Sequence, residues 1–70
     1  MPTITRTIRD QHGHPVAGAE VVLRDVGGVL IDSLTTDAAG EWETTIDPGT
    51  YSMVVSKGNA VLSRQLVVCP

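Results

Sequence analysis

The residues with the clearest chemical potential are two histidines, His12 and His14, which flank Gly13 in a polar segment that ends at Pro15. Two imidazoles at this spacing could ligate zinc or another transition metal. No further group of cysteine, histidine or carboxylate side chains converges on them from the sequence. We therefore predict a solvated turn, with His12 and His14 as weak metal candidates and no bound cofactor.

A lone thiol is the next candidate, because Cys69 is the sole cysteine of the chain and no internal disulfide can form. A nucleophilic thiol needs a base beside it, and the sequence shows no histidine motif near Cys69. We expect an inert, small core residue.

Carboxylates could suggest calcium, but calcium requires six or more oxygen ligands, usually drawn from one dense loop. The acidic side chains of the middle of the chain are too dispersed for that, and we assign them to turns and to a solvated strand face. They are Asp32, Asp37, Asp47, Glu41 and Glu43.

Nucleophilic catalysis is not indicated either. A serine nucleophile requires a base and an orienting acid around it, and the two histidines share one turn. The serines without such a setting are Ser33, Ser52, Ser56 and Ser63. Trp42 and Tyr51 could stack on sugar rings, but both fall at inward strand positions and are expected in the core. We predict that the protein is not an enzyme.

Composition restricts the partners. The 70 residues include five basic and eight acidic side chains, a net charge of −3, with no basic run, which argues against nucleic acid. No apolar run approaches membrane-spanning length. The N-terminus lacks the apolar stretch of a secretory signal, so we expect no export by that route. A chain this short buries only about 60% of its unfolded surface, which favours support from oligomerisation or from docking on a larger body.

The elements that hold these residues are short and alternating. Residues 41–46 place Trp42, Thr44 and Ile46 on one face, and residues 50–56 place Tyr51, Met53 and Val55 on one face. Turn chemistry lies before and between them, in residues 37–40 and 47–49. We predict a hairpin of these two strands, with both apolar faces on the same side.

Four further strands are predicted at residues 3–9, 20–25, 29–35 and 60–68. For the third strand we favour Leu30 and Leu34 inward. For the last strand the alternatives stay open: either Leu62, Leu66 and Val68 face the core, or Val61, Val67 and Cys69 do. No segment has a helical period, so the fold class is all-β, a single antiparallel Greek-key sandwich of six to seven strands over residues 1–70.

Two sets of residues define this prediction. The predicted core comprises Ile8, Val21, Leu23, Leu34, Trp42, Ile46, Tyr51, Met53 and Val55. The predicted turn residues are Gly13, Pro15, Gly18, Asp37, Gly40, Pro48, Gly49 and Gly58.

Three segments carry a family resemblance, and they occur in the family's order and at its spacing. GHPVAGAEV at residues 13–21, TDAAGEW at residues 36–42 and DPGTYSM at residues 47–53 resemble carboxypeptidase regulatory-like domains. That group includes the collagen-adhesin B-type repeats of bacterial surface proteins and is transthyretin-like in topology. The resemblance implies a seven-stranded, prealbumin-like, Ig-like sandwich that serves as a spacer, stalk or interaction module.

Two chemistries known in such domains fail residue by residue. An isopeptide bond between the first and last strands needs a lysine on the first strand, but the sole lysine, Lys57, lies in a turn two residues from the sole asparagine, Asn59. The hydrolase of urate breakdown carries a characteristic C-terminal tetrapeptide, which residues 67–70 lack. We expect neither activity.

The functional expectation is therefore an accessory protein of a larger assembly, such as a capsid decoration or tail protein of a phage virion. It would bind protein partners, with homo-oligomerisation left open, and neither nucleic acid nor membrane. The alternative is a module of a bacterial surface protein, or of an extracellular one, that binds carbohydrate or protein.

Overall fold

The computed structural model describes residues 2–70, and that range contains six β-strands and no helix. The strands are β1 (Thr3–Thr7), β2 (Glu20–Arg24), β3 (Leu30–Thr35), β4 (Glu41–Thr45), β5 (Gly49–Lys57) and β6 (Ala60–Cys69). β1 ends two residues earlier than predicted, and Arg9 instead forms an isolated bridge with Pro15.

The strands form two antiparallel sheets. One has two strands in the order β1-β4, and the other has four in the order β3-β2-β5-β6. The predicted fold class, an all-β antiparallel sandwich, is confirmed. Six strands are present among residues 2–70, the lower of the two numbers expected.

The hairpin predicted for the middle of the chain is wrong. β4 pairs with β1, and β5 pairs with β2 and β6, so the two strands lie in different sheets. The exposed turn around Pro48 carries the chain from one sheet to the other. The apolar faces of β4 and β5 do meet, but they do so across the core. Alternation identifies which face of a strand is buried but not which strand lies beside it.

The core lies between the two sheets. Eight of the nine predicted core residues are buried, and Leu34 is half-buried against the cluster that they form. The same cluster contains four residues outside that prediction: Ile4, Ala19, Val67 and Cys69.

Two bulges explain the register of the outer strands. The pairing of β2 with β3 shifts between Leu23 and Arg24, so Leu30 pairs with Arg24 on the outer face. The expectation that Leu30 points inward is therefore wrong, because one extra residue reverses the alternation. In β6 the structure buries Val67 and Cys69 and exposes Leu66 and Val68. Val61 is exposed because the pairing of β5 with β6 shifts at Val55.

Three connections share one turn, built on the pattern Asp-x-x-Gly-x. In each, the Asp Oδ1 atom accepts the N–H groups two and four residues later, at 2.8–3.0 Å. The Gly N–H donates to the Asp carbonyl at 3.0 Å, and that Gly has positive φ. The turns begin at Asp10, Asp25 and Asp37. One local chemistry thus reverses the chain three times.

The remaining turn residues occupy different positions. Gly18, Gly49 and Gly58 also have positive φ, and Gly49 is the first residue of β5 rather than part of the preceding turn. Pro48 lies in the bend that precedes β5.

Candidate interaction surface

The two histidines do not form a site. Their ring centroids are 6.4 Å apart and both side chains are exposed. The one carboxylate beside them belongs to Asp10, whose Oδ2 lies 4.0 Å from Nδ1 of His14. Across residues 2–70, no group of three or more histidine, cysteine or acidic side chains could hold a metal ion.

Asp10 has a structural task in this turn. Its Oδ1 accepts the backbone N–H groups of His12 at 2.8 Å and His14 at 3.0 Å. The bond from the His14 amide is the largest cause that lowers the pKa of Asp10, because it favours the charged carboxylate. The segment that contains both histidines is therefore organised by hydrogen bonds from its backbone to the Asp10 carboxylate.

The thiol and the two aromatic rings lie in the interior. Cys69 is buried, and its Sγ lies 3.8 Å from the carbonyl oxygen of Ile46. The Tyr51 hydroxyl donates to the Asp47 carbonyl at 2.6 Å, and burial raises the pKa of Tyr51. Trp42 is buried as well. None of these groups is presented to a ligand at the surface.

The remaining candidate acids and serines are spread over the fold. Asp32 accepts a hydrogen bond from Thr44 Oγ1 at 2.6 Å, and Asp37 holds the third of the shared turns. Glu41 and Glu43 lie on the solvent face of β4, and Trp42 between them is buried on the opposite face. The serines lie on strands of the four-stranded sheet: Ser33, Ser52, Ser56 and Ser63.

The outer face of the four-stranded sheet is partly apolar, which the sequence reading missed. Leu66 is 72% exposed, Val68 62% and Leu30 53%, while Val22 and Val54 on the same face are half-buried. The pairing confirms that this is one face, because Val22 lies opposite Val54 in the centre of the sheet. Residues 66–69 are apolar on both faces of β6. A continuous apolar run is typical of a strand that is buried on both faces, so this pattern could have predicted an apolar outer face.

The two sides of the sandwich differ. On one side the chain crosses between the sheets from β3 to β4, and Thr44 of β4 bonds to Asp32 of β3. On the other side lie the edge strands β1 and β6, each paired on one edge only. A groove lies between them, lined by Arg6 and Thr7 of β1, by Ile8 directly after that strand and by residues 65–68 of β6, with the buried Met53 beneath. We call this groove and its two edges the open side.

The groove continues past the end of β1. A second cavity, with a volume of about 370 Å³, is lined by residues 8–12 together with Leu62 and Ser63. Its polar groups belong to the Asp10 turn, and they do not converge on one point.

No helix that could span a lipid bilayer occurs in the part of the chain that the structure describes.

Fold and surface together define a small antiparallel sandwich module that presents sheet faces, strand edges and turns. The chain belongs to the carboxypeptidase regulatory-like domain family, whose match covers residues 3–68. This confirms the resemblance carried by the three sequence segments. The family consists of non-catalytic Ig-like domains.

Among curated proteins, the chain is similar to Halomucin of Haloquadratum walsbyi, with 32% identity over 60 residues. The match covers 86% of this chain and 1% of Halomucin, so the chain spans a very small part of that relative. No solved structure matches this chain significantly.

Proposed function

We propose that this protein is a non-enzymatic structural module that acts by binding other protein surfaces. The observation that supports this proposal is the contrast between the interior of the protein and its surface. The reactive groups described above are buried, engaged in a turn or isolated from one another. The outer face and the open side, in contrast, present Leu66, Val68 and the unpaired edges of β1 and β6. Proteins use such faces and edges for association.

The assembly that we propose is a virion, in which the protein would be a capsid decoration or tail accessory protein. A core of twelve buried hydrophobic residues gives a small domain a modest stability margin. Docking on a large particle would add to that margin by mass action, because the particle binds the folded form.

A second setting has its own support. The match to 1% of Halomucin favours a role as one module of a long surface or extracellular protein. In that setting the module would act as a spacer, or it would bind carbohydrate or protein through its turns. The buried positions of Trp42 and Tyr51 favour a spacer over a carbohydrate site, because they leave no aromatic platform at the surface.

Co-sedimentation separates the two settings. An antibody against the module would be used on fractions from a phage-producing and a non-producing culture of the source cells. A virion protein appears in the particle fraction of the phage-producing culture. A module of a long chain appears at the cell surface in a much larger band. Absence of the antigen from both fractions would remove both proposals of location.

Binding by the outer face has a separate test. Leu30→Ser removes an exposed apolar side chain from that face without touching the core. We expect the variant to fold normally and to bind the purified particle or surface layer more weakly. Val26→Ser is the matched control, since Val26 is exposed in the turn between β2 and β3. Equal binding by both variants would exclude the outer face at Leu30.

A further inference from the structure

The open side has the shape of a step. The smaller sheet has two strands and the larger has four. The edge strand β6 of the larger sheet therefore extends beyond the smaller sheet. Gln65 pairs with Met53, and Ser63 pairs with Val55; both partners are buried core residues, so Gln65 and Ser63 face inward. Both are nevertheless exposed. No strand of the smaller sheet lies over this part of β6.

The backbone of β1 is available along the step. The Ile8 N–H donates to the Gly40 carbonyl at 2.7 Å, and Pro2 accepts from the Ile46 N–H at 3.2 Å, so even-numbered residues bond towards β4. In an antiparallel strand the direction of these groups alternates. The N–H and C=O groups of the remaining residues therefore point to the open side; these residues are Thr3, Thr5 and Thr7.

The edge of β6 lacks the usual protection. Natural edge strands carry charges, prolines or strong twists that discourage pairing with another chain. β6 has ten residues, one of them charged, Arg64, and one bulge, near its start. In its second half the apolar side chains of Leu66 and Val68 are exposed. A strand of this composition is better suited to an interface than to water.

The two edges run in opposite directions. Residues 6–8 line the groove opposite residues 65–68, whereas residues 8–12 line it opposite Leu62 and Ser63. Residue numbers therefore rise along β1 as they fall along β6. A β6 strand from a second copy that lay beside β1, and ran in the direction of the chain's own β6, would therefore be antiparallel to β1.

We propose that the open side is an interface between two copies of this chain. A two-fold axis parallel to the strands places the four-stranded sheet of each copy in line with the two-stranded sheet of the other. The partner's β6 then lies beside β1, and β6 lies beside the partner's β1. One rotation satisfies both edges, as an isologous contact requires. The product is two continuous six-stranded antiparallel sheets. The two copies of β6 stack at the axis and cover Ser63 and Gln65.

Face and charge restrict the register. Paired residues must point to the same side, so odd-numbered residues of β1 pair with even-numbered residues of β6. Pairing Thr5 with Leu66 of the partner subunit meets this condition, and it places Arg64 opposite Thr7. The next register along would place Arg64 opposite Arg9, a like-charge pair that costs stability.

This register also accommodates Arg6. In the single chain the Nη1 atom of Arg6 donates to the Thr5 carbonyl at 2.9 Å, which is one of the edge groups that the partner would use. In the dimer Arg6 lies opposite Gln65 of the partner subunit, whose amide oxygen can accept the same hydrogen bond. The guanidinium thus exchanges one acceptor for another.

The interface is small. About ten residues per protomer take part, against roughly 20 to 30 in a standard interface, so we expect a dissociation constant on the order of 10–100 μM. The proposal goes beyond docking on a larger assembly, because it concerns the purified chain alone. Failure of the dimer would leave the co-sedimentation test unaffected, and failure of that test would leave the dimer unaffected.

Sedimentation equilibrium over a range from about 5 μM to about 500 μM measures the association directly. We expect a monomer–dimer equilibrium for the natural chain. In parallel, amide hydrogen exchange at Thr3, Thr5 and Thr7 should slow as the concentration rises. A chain that stays monomeric throughout this range would overturn the proposal.

Charge swapping tests the pairing itself. Thr5→Glu and Leu66→Lys alter exposed side chains, and each alone should weaken the dimer by about tenfold or more. The double variant places opposite charges face to face twice in the dimer, and we expect it to recover most of the affinity. Ser33→Lys, on the outer strand β3, is the control and should leave dimerisation unchanged. A dimer that Leu66→Lys weakens but Thr5→Glu does not would indicate pairing of β6 with β6 and would refute this arrangement.

Discussion

The hydroxyl of Thr44 donates to Oδ2 of Asp32 at 2.6 Å and joins the two sheets through their side chains. Thr44 is buried on β4 and Asp32 is half-buried on β3. These strands are the edges opposite the open side, where the chain also crosses between the sheets. One side of the sandwich therefore has a short chain crossing and a hydrogen bond between its two edge strands, whereas β1 and β6 on the other side lie in different sheets and do not pair.

Removal of this hydroxyl should destabilise the fold. Thr44→Val preserves the shape but leaves Oδ2 of a half-buried carboxylate without its donor, while Oδ1 keeps the Ser33 N–H, and we expect a loss of about 1.5–3 kcal/mol. Thr44→Ser retains the hydroxyl and is the control, with a smaller loss from the missing methyl group. Urea unfolding of both variants measures the difference. If Thr44→Val were as stable as Thr44→Ser, the bond would not contribute.

Trp42 offers a test that separates volume from polarity. Its side chain is buried, and its indole Nε1 has no hydrogen-bond partner among residues 2–70. Trp42→Ala should cost about 3–5 kcal/mol, because it leaves a large cavity. Trp42→Phe should cost much less, because it removes a buried donor that has no acceptor. Thermal unfolding of the pair checks this order, and equal losses would contradict it.

Two glycines with positive φ should respond differently to the same change. A Cβ atom at Gly40 would lie 2.8 Å from the Ile8 carbonyl oxygen and 2.9 Å from the Val16 nitrogen. A Cβ atom at Gly58 would meet nothing within 4 Å. Gly58→Ala should therefore cost only the strain of its backbone conformation, about 1 kcal/mol. Gly40→Ala adds a clash with backbone and should cost several-fold more, as measured by denaturant unfolding.

The turn at Asp10 predicts a dependence on pH. Backbone hydrogen bonds hold the pKa of Asp10 below its ordinary value. A carboxyl with a depressed pKa in the folded state stabilises the fold above its unfolded pKa, about 3.9, and this contribution is lost as the pH falls through the folded value. The stability difference between the natural chain and Asp10→Ala should therefore shrink below about pH 4. A difference that stayed constant through this range would contradict the assignment.

The buried thiol predicts protection from reagents. Cys69 lies in the core beside the Ile46 carbonyl, so a thiol reagent should reach it only when the chain opens. We expect slow modification of the folded protein and rapid modification in denaturant. Ser63→Cys supplies an exposed thiol on the same strand for comparison. Equal rates at both positions in the folded protein would show that the end of β6 is not packed as described.

Local sequence alone determined the approximate bounds of the strands and the buried faces of β4 and β5. Alternation in β4 and β5 identified the side that each buries, and Asp and Gly identified the turn before β4. The three quoted segments identified the family. These features depend on residues close together in the chain, since a strand has a period of two and a turn needs specific backbone conformations. The common pattern of the turns at Asp10, Asp25 and Asp37 was equally visible, although only the structure showed it as one turn used three times.

Only the tertiary structure decided which strands pair. Turns of similar chemistry return the chain within a sheet at Asp25 and carry it to the other sheet at Asp37 and Pro48, so turn residues do not specify the neighbour. The bulge beside Arg24 reversed the face of Leu30, because a single inserted residue inverts a period of two. The open side arises from the unequal size of the two sheets, which no single segment records. The sequence by itself thus established a sandwich with a small core, and the packing of its layers determined which edges remain free to bind.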